Sequence, residues 1–160
     1  MPVRLATTAD LPEILAIYQY ARTQMIKNNN PTQWKKTHPT KEVILADIAA
    51  QDLYVIYDDE TIGGVFAFIT GEDPTYQHIE GQWLNADPYG TIHRIAGNGK
   101  VSHIFEQALA FCAQLEPNIK IDTHQDNTIM RHLITKNGFE YCGIIQTDDG
   151  TDRLAYQKRC

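Results

Sequence analysis

The sequence contains little cysteine, and its cysteines are not spaced for a structural role. Cys112, Cys142 and Cys160 are odd in number and show no CxxC spacing, which argues against a disulfide framework and against a zinc site. The six histidines form no cluster with metal-ligand spacing either. We therefore expect no metal ion, reduced thiols and a cytoplasmic protein.

Dense basic segments and long apolar segments are also missing. Fourteen Lys and Arg stand against twenty Asp and Glu, a net charge of −6, so nucleic acid is not an expected partner. No apolar run approaches the length of a membrane span, and the first ten residues do not resemble a signal peptide. We expect no membrane partner. The sequence leaves the oligomeric state open, a homodimer included.

The chain does contain a clear change of hydrophobic period. Its 160 residues, 42% apolar, fit one domain, residues 1–160. Apolar residues recur at helical spacing after residue 10 and again after Thr40, which is a suitable N-cap. Strand-like alternation begins at Leu53. The predicted order is strand, two helices, antiparallel strands (53–57, 62–69 and 76–84), then strand 91–96, helix 99–115, strand 119–123, helix 127–136 and a closing hairpin (139–146, 153–157).

The stretch from Tyr89 to Phe139 is the most informative part of the sequence. A short apolar strand runs into a Gly-Asn-Gly-Lys turn, and a helix is predicted to open directly from Gly99. Backbone N–H groups at a helix start, together with the helix dipole, form an anion site. This layout suits a diphosphate and indicates a phosphate-bearing cofactor. An unrelated nucleotide-binding protein is an alternative, although the P-loop and Rossmann spacings are absent.

Three segments in this order resemble the GCN5-related N-acetyltransferase (GNAT) family. They are V-R-L-A-T-T-A-D-L-P-E-I, then I-H-R-I-A followed by G-N-G-K-V-S-H-I-F, and finally D-N-T-I-M-R-H-L-I-T-K-N-G-F. The resemblance implies an α/β (α+β) fold: a mixed, mostly antiparallel central sheet flanked by about four helices. It also implies a V-shaped splay between the two central strands.

The resemblance implies acetyl-CoA as co-substrate. In the family's R-x-x-G-x-G/A loop, the place of the Arg falls near Ala96 here, and Lys100 would supply the missing positive charge. Gly99 and Val101 would then fill the two Gly positions. The residues expected to bind the cofactor are Ile95, Ala96, Gly97, Asn98, Gly99, Lys100, Val101, Ser102 and Asn127.

A second departure concerns the general acid of the family. The later helix often carries a Tyr just before its Lys-x-Gly-Phe end, and Ile134 stands at that place here. Tyr89, Tyr141 and Cys142 are the alternative proton donors. The missing Tyr also keeps open a non-catalytic acyl-CoA-binding or sensing module on the same fold.

The resemblance implies acetyl transfer to a primary amine of a small molecule or peptide, by direct attack in a ternary complex. A base must first deprotonate the ammonium group. Glu80 is the first choice, because burial beside Ile79 and Trp83 would raise its pKa. The other candidate bases are His93, His124 and Asp122. Trp34 and Glu80 are expected to contact the acceptor.

Overall fold

The computed structural model describes residues 2–35 and 37–160, so Lys36, within the predicted loop 32–39, lies outside the described residues. The described residues form eight strands and four α-helices. None of these helices is long and apolar enough to cross a membrane. The strands are Val3–Leu5 (β1), Leu53–Asp58 (β2), Thr61–Thr70 (β3), Glu80–Gly81 (β4), Gly90–Gly97 (β5), Asn118–Thr123 (β6), Glu140–Gln146 (β7) and Asp152–Arg159 (β8). The helices are Leu11–Lys27 (α1), Lys41–Ala49 (α2), Ile104–Leu115 (α3) and Thr128–Lys136 (α4).

All eight strands belong to one sheet, in the order β1-β2-β3-β5-β6-β8-β7-β4. Every neighbouring pair is antiparallel except β5 and β6, which are parallel. These two central strands pair only at Gly90 with Ile119 and at Thr91 with Lys120. Beyond those residues they diverge. The predicted mixed, mostly antiparallel sheet with a central splay is therefore confirmed.

Helices cover both faces of the sheet. On one face, Phe105 and Leu109 of α3 pack with Ile92, Ile119 and other strand residues in the larger core cluster. On the other face, Ile14 and Tyr18 of α1 pack over the N-terminal strands. Their i, i+4 spacing places both side chains on one stripe of the helix, as the hydrophobic period predicts. Thr40 caps α2 as expected, accepting the N–H of Val43 at 3.2 Å.

Two predicted elements are wrong in their extent. The strand expected at 76–84 is a 3₁₀ turn at Pro74–Tyr76 followed by the two-residue strand β4. Trp83 Nε1 donates to the carbonyl of Tyr76 at 3.0 Å, which folds this segment on itself instead of extending it. The helix expected at Gly99 begins five residues later, at Ile104, because His103 has a left-handed backbone (φ 59°) that a helix cannot include.

Candidate functional site

A cavity of about 560 Å³ opens where β5 and β6 diverge. Its walls are the end of α1 with the α1–α2 loop, the end of β3 with the segment that follows it, and the facing parts of the two splayed strands. The start of α4, the β7–β8 loop and the first turn of β8 complete the lining. The cavity lies at the carboxyl ends of the two parallel strands, where ligand crevices form in α/β sheets. It is thus the candidate site.

A β-bulge in β5 orients two polar side chains toward one side of this cavity. Val65 pairs with Ala96 and Ala67 pairs with His93, so Phe66 faces both Arg94 and Ile95. Ile92 and Ile95 pack in the larger core cluster, on the face of the sheet that α3 covers. The extra residue leaves His93 and Arg94 together on the opposite face.

Arg94 is held in a left-handed conformation (φ 51°) by contacts with α1 and α2. Tyr18 donates its hydroxyl to the Arg94 carbonyl at 2.8 Å. The guanidinium Nε and Nη2 donate to Asp47 Oδ2 and Oδ1 at 2.8 and 2.9 Å. This bidentate pair fixes the bulge and neutralises the charge of Arg94.

His93 and Asp73 form the main titratable pair in the cavity. Nε2 of His93 lies 2.8 Å from Oδ2 of Asp73, and both side chains are mostly shielded from solvent. Burial raises the pKa of Asp73, but hydrogen bonds from His93 and Thr75 outweigh burial and lower that pKa to about 2. Asp73 therefore stays ionised beside the imidazole. Nδ1 of His93 has no hydrogen-bond partner among the described residues, which leaves it free to accept a proton.

Asp122 lies across the splay from His93. Each residue is two positions beyond the last pair between the strands, Thr91 with Lys120. The hydroxyl of Tyr76 donates to Asp122 Oδ2 at 2.5 Å. Burial, and then the charge of Asp122, raise the pKa of Tyr76 well above its usual range, so the phenol remains a donor. Asp122 lines the cavity, whereas Tyr76 lies behind it.

The α1–α2 loop forms the opposite wall. Trp34 is buried and contacts Tyr18 edge to face, with ring centroids 5.6 Å apart. His38 also lines the cavity. Burial lowers the pKa of His38, and the positive charges of Arg94 and two other arginines lower it further. Sequence reasoning missed His38, since it precedes Pro39 in what looks like an ordinary polar loop.

The candidate bases occupy three different environments. His93 lines the cavity. Glu80 is exposed on the edge strand β4, opposite Ile144, and β8 and β7 separate it from β6. The expectation that Glu80 is buried is therefore wrong. His124 uses both ring nitrogens elsewhere: Nδ1 accepts the N–H of Asp126 at 3.0 Å, and Nε2 lies 3.3 Å from Thr32 Oγ1.

The predicted anion loop precedes α3 rather than opening it. Asn98 ties the loop to β3, since its N–H donates to Gly63 O at 3.1 Å, and its side chain accepts the N–H of Lys100 at 3.0 Å. The N-cap of α3 is His103, and no described side chain forms a capping hydrogen bond there. The N–H groups of the first turn of α3 therefore point outward without an intrahelical acceptor.

Asn127 connects the two sides of the cavity. Its Oδ1 accepts the N–H of Met130 at 3.0 Å, which caps α4, and its Nδ2 donates to Gln33 Oε1 at 3.0 Å. Asn127 lines the cavity, as does Ile95, whereas the loop residues Gly97 to Ser102 and the buried Ala96 do not. Asn127 is thus the cap that its position predicted, and it also holds the α1–α2 loop.

None of the predicted substitute acids faces the cavity. Ile134 is fully buried in the larger core cluster. Tyr141 and Cys142 lie on β7, outside the cavity lining, and the Tyr89 hydroxyl accepts the N–H of Asp73 at 2.8 Å. Among the residues that the structure describes, no tyrosine lines the cavity.

Solved structures provide the comparison with known proteins. A GNAT-family acetyltransferase from Streptococcus agalactiae is 31% identical, with a TM-score of 0.84, over 99% of this chain and 94% of that one. Ribosomal-protein-alanine N-acetyltransferase from Brucella melitensis is 20% identical, with a TM-score of 0.66 and 100% coverage of both chains. The yncA protein of Salmonella typhimurium, solved with its cofactor acetyl-CoA, is 14% identical, with a TM-score of 0.61, over 98% of this chain and 92% of that one.

The last two likenesses concern the fold alone. No family model matches the sequence, and no curated protein matches it. The similarity to the Streptococcus agalactiae protein extends over nearly the whole of both chains. The chain belongs to the GNAT family of acetyltransferases.

Proposed function

We propose that this protein transfers the acetyl group of acetyl-CoA to a primary amine, by direct attack within a ternary complex. The observation that carries the proposal is the His93–Asp73 pair in the cavity between β5 and β6. Family membership supports the acetyl transfer, and the yncA structure with acetyl-CoA supports the cofactor. Residues 1–160 would form one N-acetyltransferase domain.

The splay would receive the pantetheine arm of the cofactor. Between residues 92 and 97, β5 has no pairing with β6, so this edge can bond an extended ligand as it would bond another strand. Ile95 and Asn127 line the cavity there. The arm would then run past Ala96 and Gly97 toward the loop.

The diphosphate would lie at the N-terminus of α3. The uncapped first turn at Ile104 supplies backbone donors and the positive end of the dipole. The loop from Asn98 to Ser102 would form the rim of this site, with the exposed Lys100 adding a positive charge. This position lies closer to the start of α3 than the glycine loop that the sequence analysis had assigned to the phosphates.

His93 would act as the base, in place of Glu80 or His124. Nδ1 takes a proton from the ammonium group, and the ionised Asp73 stabilises the imidazolium that forms. The free amine attacks the thioester carbonyl, and the C–N bond forms while the C–S bond breaks to release the CoA thiolate. As the amide forms, its nitrogen loses a second proton, which passes to solvent. Since no tyrosine lines the cavity among the described residues, the imidazolium would return its proton to the thiolate.

The acceptor would approach from the face that carries His93. Asp122 would attract its ammonium group, and Trp34 would form an apolar wall. A small molecule and a peptide both fit an open cavity of about 560 Å³.

The test is release of free CoA thiol from acetyl-CoA with a panel of amines: amino acids, polyamines, peptide N-termini and lysine side chains. We expect at least one acceptor to turn over, and His93→Gln to abolish most of that turnover. Binding of acetyl-CoA with no turnover of any amine would favour the sensing module instead. A thermal shift with ATP but none with CoA would reject the cofactor.

A further inference from the structure

Arg153 is a buried cation in the cavity, and it has no acidic partner among the described residues. It is 6% exposed and lines the cavity. Its Nη1 donates to Thr151 Oγ1 and to the Asp152 carbonyl, both at 2.9 Å, and its Nη2 donates to the Gln33 carbonyl at 3.1 Å. All three acceptors are uncharged. No carboxylate lies within 4 Å of this guanidinium in the part of the chain that the structure describes.

The other cations of the cavity are neutralised. Arg94 forms the bidentate pair with Asp47, and Lys35, largely exposed, lies 3.3 Å from Asp149. A buried charge without a counter-charge costs free energy that hydrogen bonds to neutral groups offset only in part. An anion that enters the cavity would remove that cost.

The guanidinium of Arg153 retains the donors that a carboxylate needs. A guanidinium has five N–H donors, and three of these are used by the bonds to Thr151, Asp152 and Gln33. The two that remain are on Nε and Nη2. Arg94 uses the same two atoms to bind the carboxylate of Asp47 side-on, so Arg153 can bind a ligand carboxylate in the same way.

Arg153 also lies close to the groups proposed to handle the amine. On the paired strands β6 and β8, Asp122 stands opposite Ala155, which makes Arg153 its diagonal neighbour on the same face. Diagonal neighbours in a sheet are about 7–8 Å apart. Asp122 in turn lies across the splay from His93. A small molecule that carries both an ammonium group and a carboxylate can therefore contact all three side chains.

We propose that the acceptor is a free amino acid or a similar zwitterionic amine, with its carboxylate on Arg153 and its ammonium group between His93 and Asp122. This inference rests on the proposed acetyl transfer and narrows its substrate class. It makes Arg153 a specificity-determining residue. It also distinguishes this site from one for polyamines, which have no carboxylate to offer.

The test compares each amino acid with its own amide, which keeps the amine and the side chain and removes only the carboxylate charge. The measured quantity is kcat/KM with saturating acetyl-CoA. Loss of a charged hydrogen-bonded pair typically lowers kcat/KM about 10- to 100-fold. We expect the wild type to prefer the acid over the amide by a factor in this range. The amine of the amide is less basic than that of the acid, so more of it is unprotonated at neutral pH. A difference in free amine alone would therefore make the amide, not the acid, the better substrate.

Variants then assign the preference to Arg153. Arg153→Gln should reduce the acid-to-amide ratio toward one, and Arg153→Lys, which keeps the charge without the planar fork, should retain part of it. Lys35→Gln is the matched control, because it removes one positive charge from the rim of the same cavity and should keep the wild-type ratio. Thermal unfolding and acetyl-CoA affinity identify any variant that is misfolded.

The outcomes separate this inference from the proposed function. If the wild type acetylates amides as well as acids, the inference is wrong, and no variant is needed to show it. An acid preference that survives in folded Arg153→Gln also overturns it. If neither acids nor amides are acetylated but another amine of the panel is, the inference is wrong and the acetyl-transfer function stands. If acetyl-CoA binds and no amine of the whole panel is acetylated, the acetyl-transfer function itself fails.

Discussion

The imidazole Nε2 of His93 and the carboxylate Oδ2 of Asp73 are 2.8 Å apart, although the two residues are separated by 20 positions. The intervening chain forms the 3₁₀ turn and β4, and it returns to start β5 at Gly90. Asp73 is fixed from its own side by the N–H and the hydroxyl of Thr75, at 2.9 and 2.7 Å. Thr75 thus orients the Asp73 carboxylate toward the histidine.

His93→Gln should lower kcat with an amine acceptor by about 10²–10⁴-fold, the usual contribution of a general base. The acidic limb of the kcat profile should disappear with it, and acetyl-CoA affinity should remain close to that of the wild type. His38→Gln, measured on the same amine, is the comparison, because His38 is the other histidine that lines the cavity. The assignment is wrong if the His38 variant loses the acidic limb and the His93 variant keeps it.

Asp73→Asn should weaken the fold at neutral pH and reduce the dependence of stability on acid. The folded-state pKa of Asp73 is lowered from about 3.8 to about 2. A lowered carboxyl pKa stabilises the fold above pH 4, and that stabilisation is lost as the pH falls through 2. It amounts to about 2 kcal/mol. Urea unfolding of wild type and variant between pH 2 and 6 measures it. If the free energies of unfolding of the two proteins change in parallel with pH, the prediction is wrong.

Glu106→Gln should strengthen CoA binding. Glu106 stands in the first turn of α3. Its Oε2 is buried with no hydrogen-bond partner in the part of the chain that the structure describes, and its Oε1 lies 3.5 Å from His103 Nδ1. Its negative charge opposes a diphosphate at the helix start, where one charge is typically worth about 0.3–1 kcal/mol. Calorimetry should show an affinity gain of about two- to fivefold. Gln107→Glu, one residue further on, is the control and should not strengthen binding.

Asn127 has two roles that a pair of variants can separate. Asn127→Asp keeps a capping oxygen for the Met130 N–H but loses the amide donor to Gln33, whereas Asn127→Ala loses both. The alanine variant should lose about 1 kcal/mol of stability, and the aspartate variant much less. Both should raise KM for acetyl-CoA if Asn127 contacts the cofactor. Equal KM values in wild type and both variants would make it a cap alone.

The sequence predicted most of the fold because its elements have strong local signals. The helical stripe of α1, the cap at Thr40 and the hairpin around residues 58–61 all follow from neighbouring residues. The start of α3 does not, since the left-handed backbone of His103 is uncommon for any residue other than glycine. Gly99 also has a positive φ (80°), and a glycine is the residue usually expected at such a turn, so the sequence placed the helix start there.

The site was less predictable, because its members meet only through the sheet. His93 and Trp34 were singled out from local context, and both line the cavity. Asp73 looked like the boundary of a turn, and Arg153 looked like an ordinary strand residue. The expectation that Glu80 is buried failed because the surroundings of Glu80 depend on which strand β4 joins, and β4 pairs with β7 at the sheet edge. A single sequence has no local signal for a pairing between strands so far apart.

Because β5 and β6 pair over only two residues, the rest of each strand has an unpaired edge in the middle of the sheet. Exposed strand edges normally invite pairing with other chains, and proteins guard against this by covering them. Here the cover consists of the α1–α2 and β7–β8 loops. Lys35 and Asp149 join the two loops, and Arg153 of β8 donates to the Gln33 carbonyl of the first. A bound pantetheine arm would occupy the same place that a missing strand segment would occupy. The cofactor would therefore also complete the sheet, and the protein without it would be the form most prone to association through unpaired backbone.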